Sequence, residues 1–334
     1  MKTTKRLFAT IVAATMALSM TACDSSDDSL SDSQIAKNSE KWLTIENGVL
    51  VKCDENAEGK IVVPDGVTVI GVRAFKECRK ITDITLPDTV TDIGDYAFCF
   101  SSSLESISVP DSVTKIGKDA FYSCKSLEEI TIPSKVTVIE VDTFSGCESL
   151  TKITIPENLT TIGEKAFFDC DSLTNITIPE NVTTIDEDAF SACNSLEEVT
   201  IPSKVTVIEA GTFSGCKSLT KITIPENVSV IGEGAFDWCG NLQNVEISYG
   251  VTTIGNNAFS NCYSLGKVTI PDSVTKIGEE AFRHCRELET VSIPNSVTEI
   301  GEDTFESCKD VSVTYKGKTY TYDNIDELYA IQED

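Results

Sequence analysis

Histidine occurs once in the 334 residues, at His284, which leaves imidazole-based catalysis almost no material. Basic residues are short as well: 27 Lys and Arg face 53 Asp and Glu, for a net charge of −26. That deficit argues against nucleic-acid binding, because no cationic surplus exists to displace counterions from phosphate. The only three methionines all lie within the first 20 residues. The apolar run at 7–18 falls short of the ~20 residues that a membrane-spanning helix needs. Glycine recurs as punctuation and never as a phosphate-binding loop. What remains is 40% hydrophobic, enough for a sizeable core and too much for wholesale disorder.

The first residues read as an address. Lys2, Lys5 and Arg6 precede the apolar run, and Ser19-Met20-Thr21-Ala22 then lead into Cys23. A charged start, a short hydrophobic stretch and small residues at a cleavage point are the parts of a secretory signal. Small residues running directly into a cysteine resemble the bacterial lipobox, although Met20 stands where Leu is usual. The resemblance implies cleavage after Ala22 and a lipid on Cys23, so that 1–22 is a signal peptide and the membrane is met through the anchor alone. Acidic and Ser-rich residues follow, and 23–39 is expected to be a flexible tether.

A period of 23 governs the rest. The ten prolines run from Pro64 to Pro294 at intervals of 23, with one gap of 46 where Ser248 fills the slot. Eleven of the fourteen phenylalanines, Phe75 to Phe305, keep the same spacing, and a cysteine follows three residues after ten of them. The exception has Ser101 in the slot, with Cys99 beside Phe98. Tandem self-similarity at this period is the signature of a solenoid.

One coil can be read physically. Leu127, Ile130 and Ile132 alternate as in a strand, with Thr131 facing the other way. Pro133 ends the strand, having no N–H to give. Val136 and Ile139 point inward from a second short extended piece, and Gly117 or Gly163 marks a turn expected to need a permissive backbone. Phe144 and Cys147 return through a loop or a single helical turn. One coil buries too little to offset the ordering of its backbone, so stacking is required.

The frame Ile-x-Ile-Pro-x-x-Val-x-x-Ile-Gly-x-x-Ala-Phe-x-x-Cys resembles the BspA-type (Treponema-type) leucine-rich repeat over about 61–310. The expected fold class is therefore a repeat solenoid of leucine-rich-repeat type, with parallel strands on a concave face. Residues 64–310 make about 11 coils between an N-terminal cap at 40–63 and a C-terminal cap at 311–334. The C-terminal cap is a hairpin around Lys316-Gly317-Lys318, then a helix, with four tyrosines closing the stack. The stretch 126–166 reappears almost unchanged at 195–235, three coils later.

Thirteen cysteines in an exported chain suggest either a disulfide framework or, as the period favours, a column of packed free thiols. Cys53 and Cys99, off the column, are the expected exceptions. A single file of thiols cannot surround a metal, and no cofactor is implied. His284 shares its column with Glu77, Ser123, Gly146, Asp169, Ala192 and Trp238, as suits a solvent-facing loop.

Binding is better sought on the outward strand face. Its Thr column is flanked by Glu105, Glu128, Glu129, Lys152, Glu197, Glu198 and Lys221, with no aromatic ring for sugar stacking. Such a face suits either a protein partner or plain solvation. Trp238, with Phe100, Tyr122, Phe168 and Tyr263, belongs to the loop side, either covering an edge or anchoring a partner. The chain is expected to be a non-enzymatic, monomeric surface lipoprotein, and by analogy the family resemblance implies that it adheres to an extracellular protein, from a host matrix or another bacterium. The alternative is a structural spacer in the envelope without a specific ligand.

Overall fold

The computed structural model describes residues 32–329. Within them the period-23 pattern folds as a β-solenoid, and each inward column of the sequence is a buried column of the core. In the coil around Phe144, Ile130 and Ile132 are buried while Glu129 and Thr131 face out. The next strand stacks parallel and in register, with Glu129 opposite Lys152 and Thr131 opposite Thr154. Strands of this kind form the first sheet, whose pairing lapses between Lys152–Thr154 and Asn175–Ile176 and between Glu198–Val199 and Lys221–Ile224. The carbonyl of Pro133 then accepts the Val136 amide at 3.0 Å, which turns the chain. Where Ser248 replaces proline, the matching distance stretches to 3.5 Å. Two-residue strands such as Val138–Ile139 and Thr161–Ile162 follow and build a second parallel sheet.

The glycine after this second strand has a different purpose from the expected one. Gly117 and Gly163 do not adopt positive φ. They are needed because each lies against the backbone of the coil before it. A Cβ on Gly117 would sit 2.6 Å from Asp95 N, and one on Gly163 would sit 3.0 Å from Ile139 O. That contact lets the glycine amide reach back, as Gly163 N does to Ile139 O at 2.8 Å. The left-handed residues come two positions later and again four beyond that. In the Phe144 coil they are Asp142 (φ +52°) and Gly146 (φ +71°). Asp, Asn and Gly tolerate this region best, which accounts for their frequency there.

Between the two left-handed positions, alternate amides point forward. Asp142, Phe144 and Gly146 donate to the carbonyls of Glu164, Ala166 and Phe168 in the next coil, at 2.9, 2.9 and 2.7 Å. The expected loop is thus a third hydrogen-bonded wall. It holds the phenylalanines in one unbroken stack from Phe75 to Phe305, with ring centroids 5.0 to 5.6 Å apart. The twelve described cysteines are unpaired and buried. Cys147 Sγ donates to the carbonyl of Phe121 at 3.3 Å, and the same bond recurs up the column. Cys53 is off this column, as expected: its amide donates to Ala74 O at 2.6 Å, as that of Phe75 does to Ala97 O, which puts it in the Phe position of the first coil. It lies beside Cys78, and both thiols point to Asp54 O, at 3.6 and 3.8 Å.

The second sheet is interrupted twice, between Lys115–Ile116 and Val138–Ile139 and between Thr184–Ile185 and Val207–Ile208. At both steps Glu140 or Glu209 occupies the glycine column, and Thr143 or Thr212 occupies the alanine column. Either change alone is absorbed. Asp186, with Ala189, keeps its bond to Ile162 O at 2.9 Å, and Gly301, with Thr304, keeps its bond to Ile277 O at 2.8 Å. Only where both columns change together is the sheet broken.

The ends are capped by hairpins. Helix α1 (Asp32–Glu40) takes up the end of the segment expected to be a tether. It is fixed because buried Ser39 accepts the Val62 amide at 3.0 Å. Strands β1 (Leu43–Glu46) and β2 (Val49–Cys53) pair antiparallel, and β2 continues the second sheet. Strand β3 (Glu58–Val62) starts the first sheet. At the other end Ser312–Tyr315 and Lys318–Thr321 pair antiparallel, followed by Asp326–Tyr329 as a short helix. Three of the four tyrosines close the stack: Tyr315 and Tyr320 are fully buried, and the Tyr329 hydroxyl accepts the Phe305 amide at 2.9 Å. Tyr329 is half-buried, and Tyr322 is exposed. Cys23 and the rest of 1–31 lie outside the described residues.

Candidate functional site

Strand alternation fixes what the first sheet presents. Each strand turns Ile or Val inward, Ile153 being half-buried, and its flanking residues outward. Glu105, Glu128, Glu129, Lys152, Glu197, Glu198 and Lys221 are all exposed on that face, as is the Thr column. Glu129, Thr131, Lys152 and Thr154 line one open groove of about 320 Å³, together with Ser106 and Ser108. Glu197, Glu198, Thr200, Lys221 and Thr223 line a second of about 510 Å³. Glu105 belongs to the coil before Glu128, whose amide reaches Glu105 O at 3.2 Å. Five of the expected binding residues therefore line two grooves, and Glu105 and Glu128 stand beside the first.

The charges of the two grooves are arranged differently. Lys152 pairs with Glu129 at 3.5 Å, both side chains about two-thirds exposed or more (70% and 67%). Such a pair contributes little and is readily exchanged for a partner's charge. Lys221 turns away to Glu246 at 3.6 Å, because Glu246 stands in the Thr column one coil on. Among the described residues, Glu197 and Glu198 are left without a cation.

Trp238 does not join these grooves. It sits on the turn side, 51% exposed, in the left-handed position that its column requires (φ +60°). Tyr263 meets it edge-on with centroids 6.0 Å apart, lying over Gly240, and the Arg286 guanidinium covers Tyr263 at 4.9 Å. This aromatic edge is separate from the charged face. His284 shares the Trp238 column, again at φ +60°, with its amide bound to Glu306 O at 2.9 Å. Sequence reasoning did not single out Glu246, whose place in the Thr column was the signal that could have found it.

No helix among the described residues is long and apolar enough to cross a membrane. A family model described as a BspA type leucine rich repeat region matches over 44–170, 114–239 and 208–325. A leucine-rich repeat protein from Bacteroides ovatus is 34% identical, over 81% of this chain and 67% of its own, with a TM-score of 0.63. A leucine rich cell surface protein from Faecalibacterium prausnitzii is 31% identical, over 83% of this chain and 92% of that one, with a TM-score of 0.53. The pneumococcal vaccine antigen PcpA shares the fold at 20% identity and a TM-score of 0.56, over 82% and 85% of the two chains. No curated protein matches.

Proposed function

The chain belongs to the BspA-type leucine-rich repeat family, and from that premise we propose that it is a lipid-anchored surface protein whose first-sheet face captures a protein partner outside the cell. One observation carries the reading: exposed Glu, Lys and Thr side chains recur from coil to coil on the first-sheet face and open into grooves at the two Glu-rich places. Charged and hydroxyl groups held on a sheet select a partner by electrostatic and hydrogen-bond complementarity, and no reacting group is called for. A relative bearing the description of a cell surface protein, 31% identical, supports the location. The Ser-Met-Thr-Ala-Cys run at 19–23 supports attachment through Cys23.

One cell-based experiment separates the two halves of this reading. Cys23→Ala should move the chain from the membrane fraction to the medium. Glu128→Lys, Glu129→Lys, Glu197→Lys and Glu198→Lys together should leave it on the cell. The quadruple variant should capture at least tenfold less of a matrix or bacterial surface protein retained by the wild type, with the wild-type interaction weakening as salt rises. Unchanged fractionation removes the anchor. Unchanged capture moves the docking surface to the Trp238 edge or leaves only the spacer role.

A further inference from the structure

Resting on that reading of the sheet face, the internal duplication narrows the kind of partner. Six exposed residues in or next to the first-sheet strands, Glu128, Glu129, Thr131, Thr151, Lys152 and Thr154, return 69 positions later as Glu197, Glu198, Thr200, Thr220, Lys221 and Thr223. All twelve are exposed, and no residue type changes. The copies do differ elsewhere. Asp142 becomes Gly211, Glu148 becomes Lys217 and Lys165 becomes Gly234, all on the turn side, and Ile130 becomes buried Val199. Each copy opens into a groove: Glu129, Thr131, Lys152 and Thr154 line the first with Ser106 and Ser108, Glu128 standing beside it, and Glu197, Glu198, Thr200, Thr220, Lys221 and Thr223 line the second. The two are three coils apart, and at ~4.8 Å per strand step that separates them by about 14 Å.

We propose that the grooves are one binding element used twice, gripping a single extended polypeptide segment that carries two basic side chains about four residues apart. An extended chain advances ~3.4 Å per residue, so four residues span the ~14 Å between the grooves when the segment lies along the stack of coils. Each Glu pair receives a Lys or Arg, for which a guanidinium provides paired donors to a carboxylate. The Thr hydroxyls between them give and accept hydrogen bonds, as a main chain offering alternate N–H and C=O groups requires. In the first groove the incoming cation displaces the exposed Lys152 from Glu129. In the second, Lys221 is already turned to Glu246, so Glu197 and Glu198 stand open. Neither groove is lined by an aromatic ring on which a sugar polymer could stack. Two weak contacts joined by a short linker act at millimolar effective concentration, so spacing decides affinity.

The test uses the full chain and labelled twelve-residue peptides of Thr and Ser bearing one arginine, or two arginines two, four or seven residues apart. Binding is read by fluorescence anisotropy. The four-residue spacing should bind at least tenfold more tightly than the single-arginine peptide and more tightly than the other spacings. Glu197→Gln with Glu198→Gln, on exposed positions that leave the circular dichroism spectrum unchanged, should erase that advantage while weakening the single-arginine peptide no more than about threefold. Affinity that follows the number of arginines whatever their spacing overturns the proposal. So does equal binding of an amino-sugar oligomer. If the peptides fail while the charge-reversed cell variant still loses its protein partner, the two-groove inference falls and the docking face stands. If both fail, the face itself is wrongly assigned.

Discussion

Ser101 explains the cysteines. Its hydroxyl donates to Phe75 O at 2.8 Å, in the slot where Cys124 Sγ donates to Phe98 O at 3.2 Å and Cys170 Sγ to Phe144 O at 3.3 Å. The column therefore selects a small side chain with a hydrogen to give to the coil before it, and a thiol also suits the apolar surroundings. Cys170→Ser should keep the bond and change stability by less than about 1 kcal/mol. Cys170→Ala removes the bond and leaves a void, and should cost about 1–2 kcal/mol. Urea unfolding of the two variants checks this. Equal losses would mean that the thiol is filler alone.

At the scale of the element, the paired changes at Glu140 with Thr143 and at Glu209 with Thr212 are where pairing of the second sheet fails. Restoring Glu140→Gly with Thr143→Ala should let residue 140 donate back to Ile116 O. Its amide should then exchange at least tenfold more slowly, with global stability shifting by no more than about 1 kcal/mol, because glycine's own entropy opposes the gained bond. Hydrogen exchange resolved at that amide is the measurement, and unaltered exchange would place the cause of the break elsewhere. The period made the strands, the inward Ile, Val and Leu columns and the Phe stack legible, since burial acts on residue type at fixed spacing. Backbone approach was not legible. Gly117 reads as a turn glycine, and only the coil packed against it shows that it clears Asp95 N. The candidate face was readable as outward Glu, Lys and Thr, but the departure of Lys221 toward Glu246 depends on a neighbour in the next coil, which strand alternation within one coil does not report.

For the whole molecule, the thiol column makes stability a function of alkalinity. Burial pushes Cys147 and Cys193 up to about 12 and raises the buried thiols at Cys124, Cys170, Cys216 and Cys262 as well. Unfolded thiols release their protons near 8.5. Above that value the folded chain holds protons that the unfolded chain gives up, so unfolding becomes easier as pH rises. The melting temperature should accordingly fall steadily from about pH 9 upward, with the thiols unreactive to iodoacetamide until denaturant is added. A flat melting profile to pH 11 would contradict the burial of the column. The sameness of the rungs has one more consequence. A chain that begins to pair one repeat out of step meets nearly the same rings, thiols and carbonyls as a correctly aligned one, so local contacts alone correct such a slip only weakly. The hairpins at the two ends fit nothing but their own neighbours, so alignment during refolding is settled from the termini, and a chain stripped of them loses its means of counting.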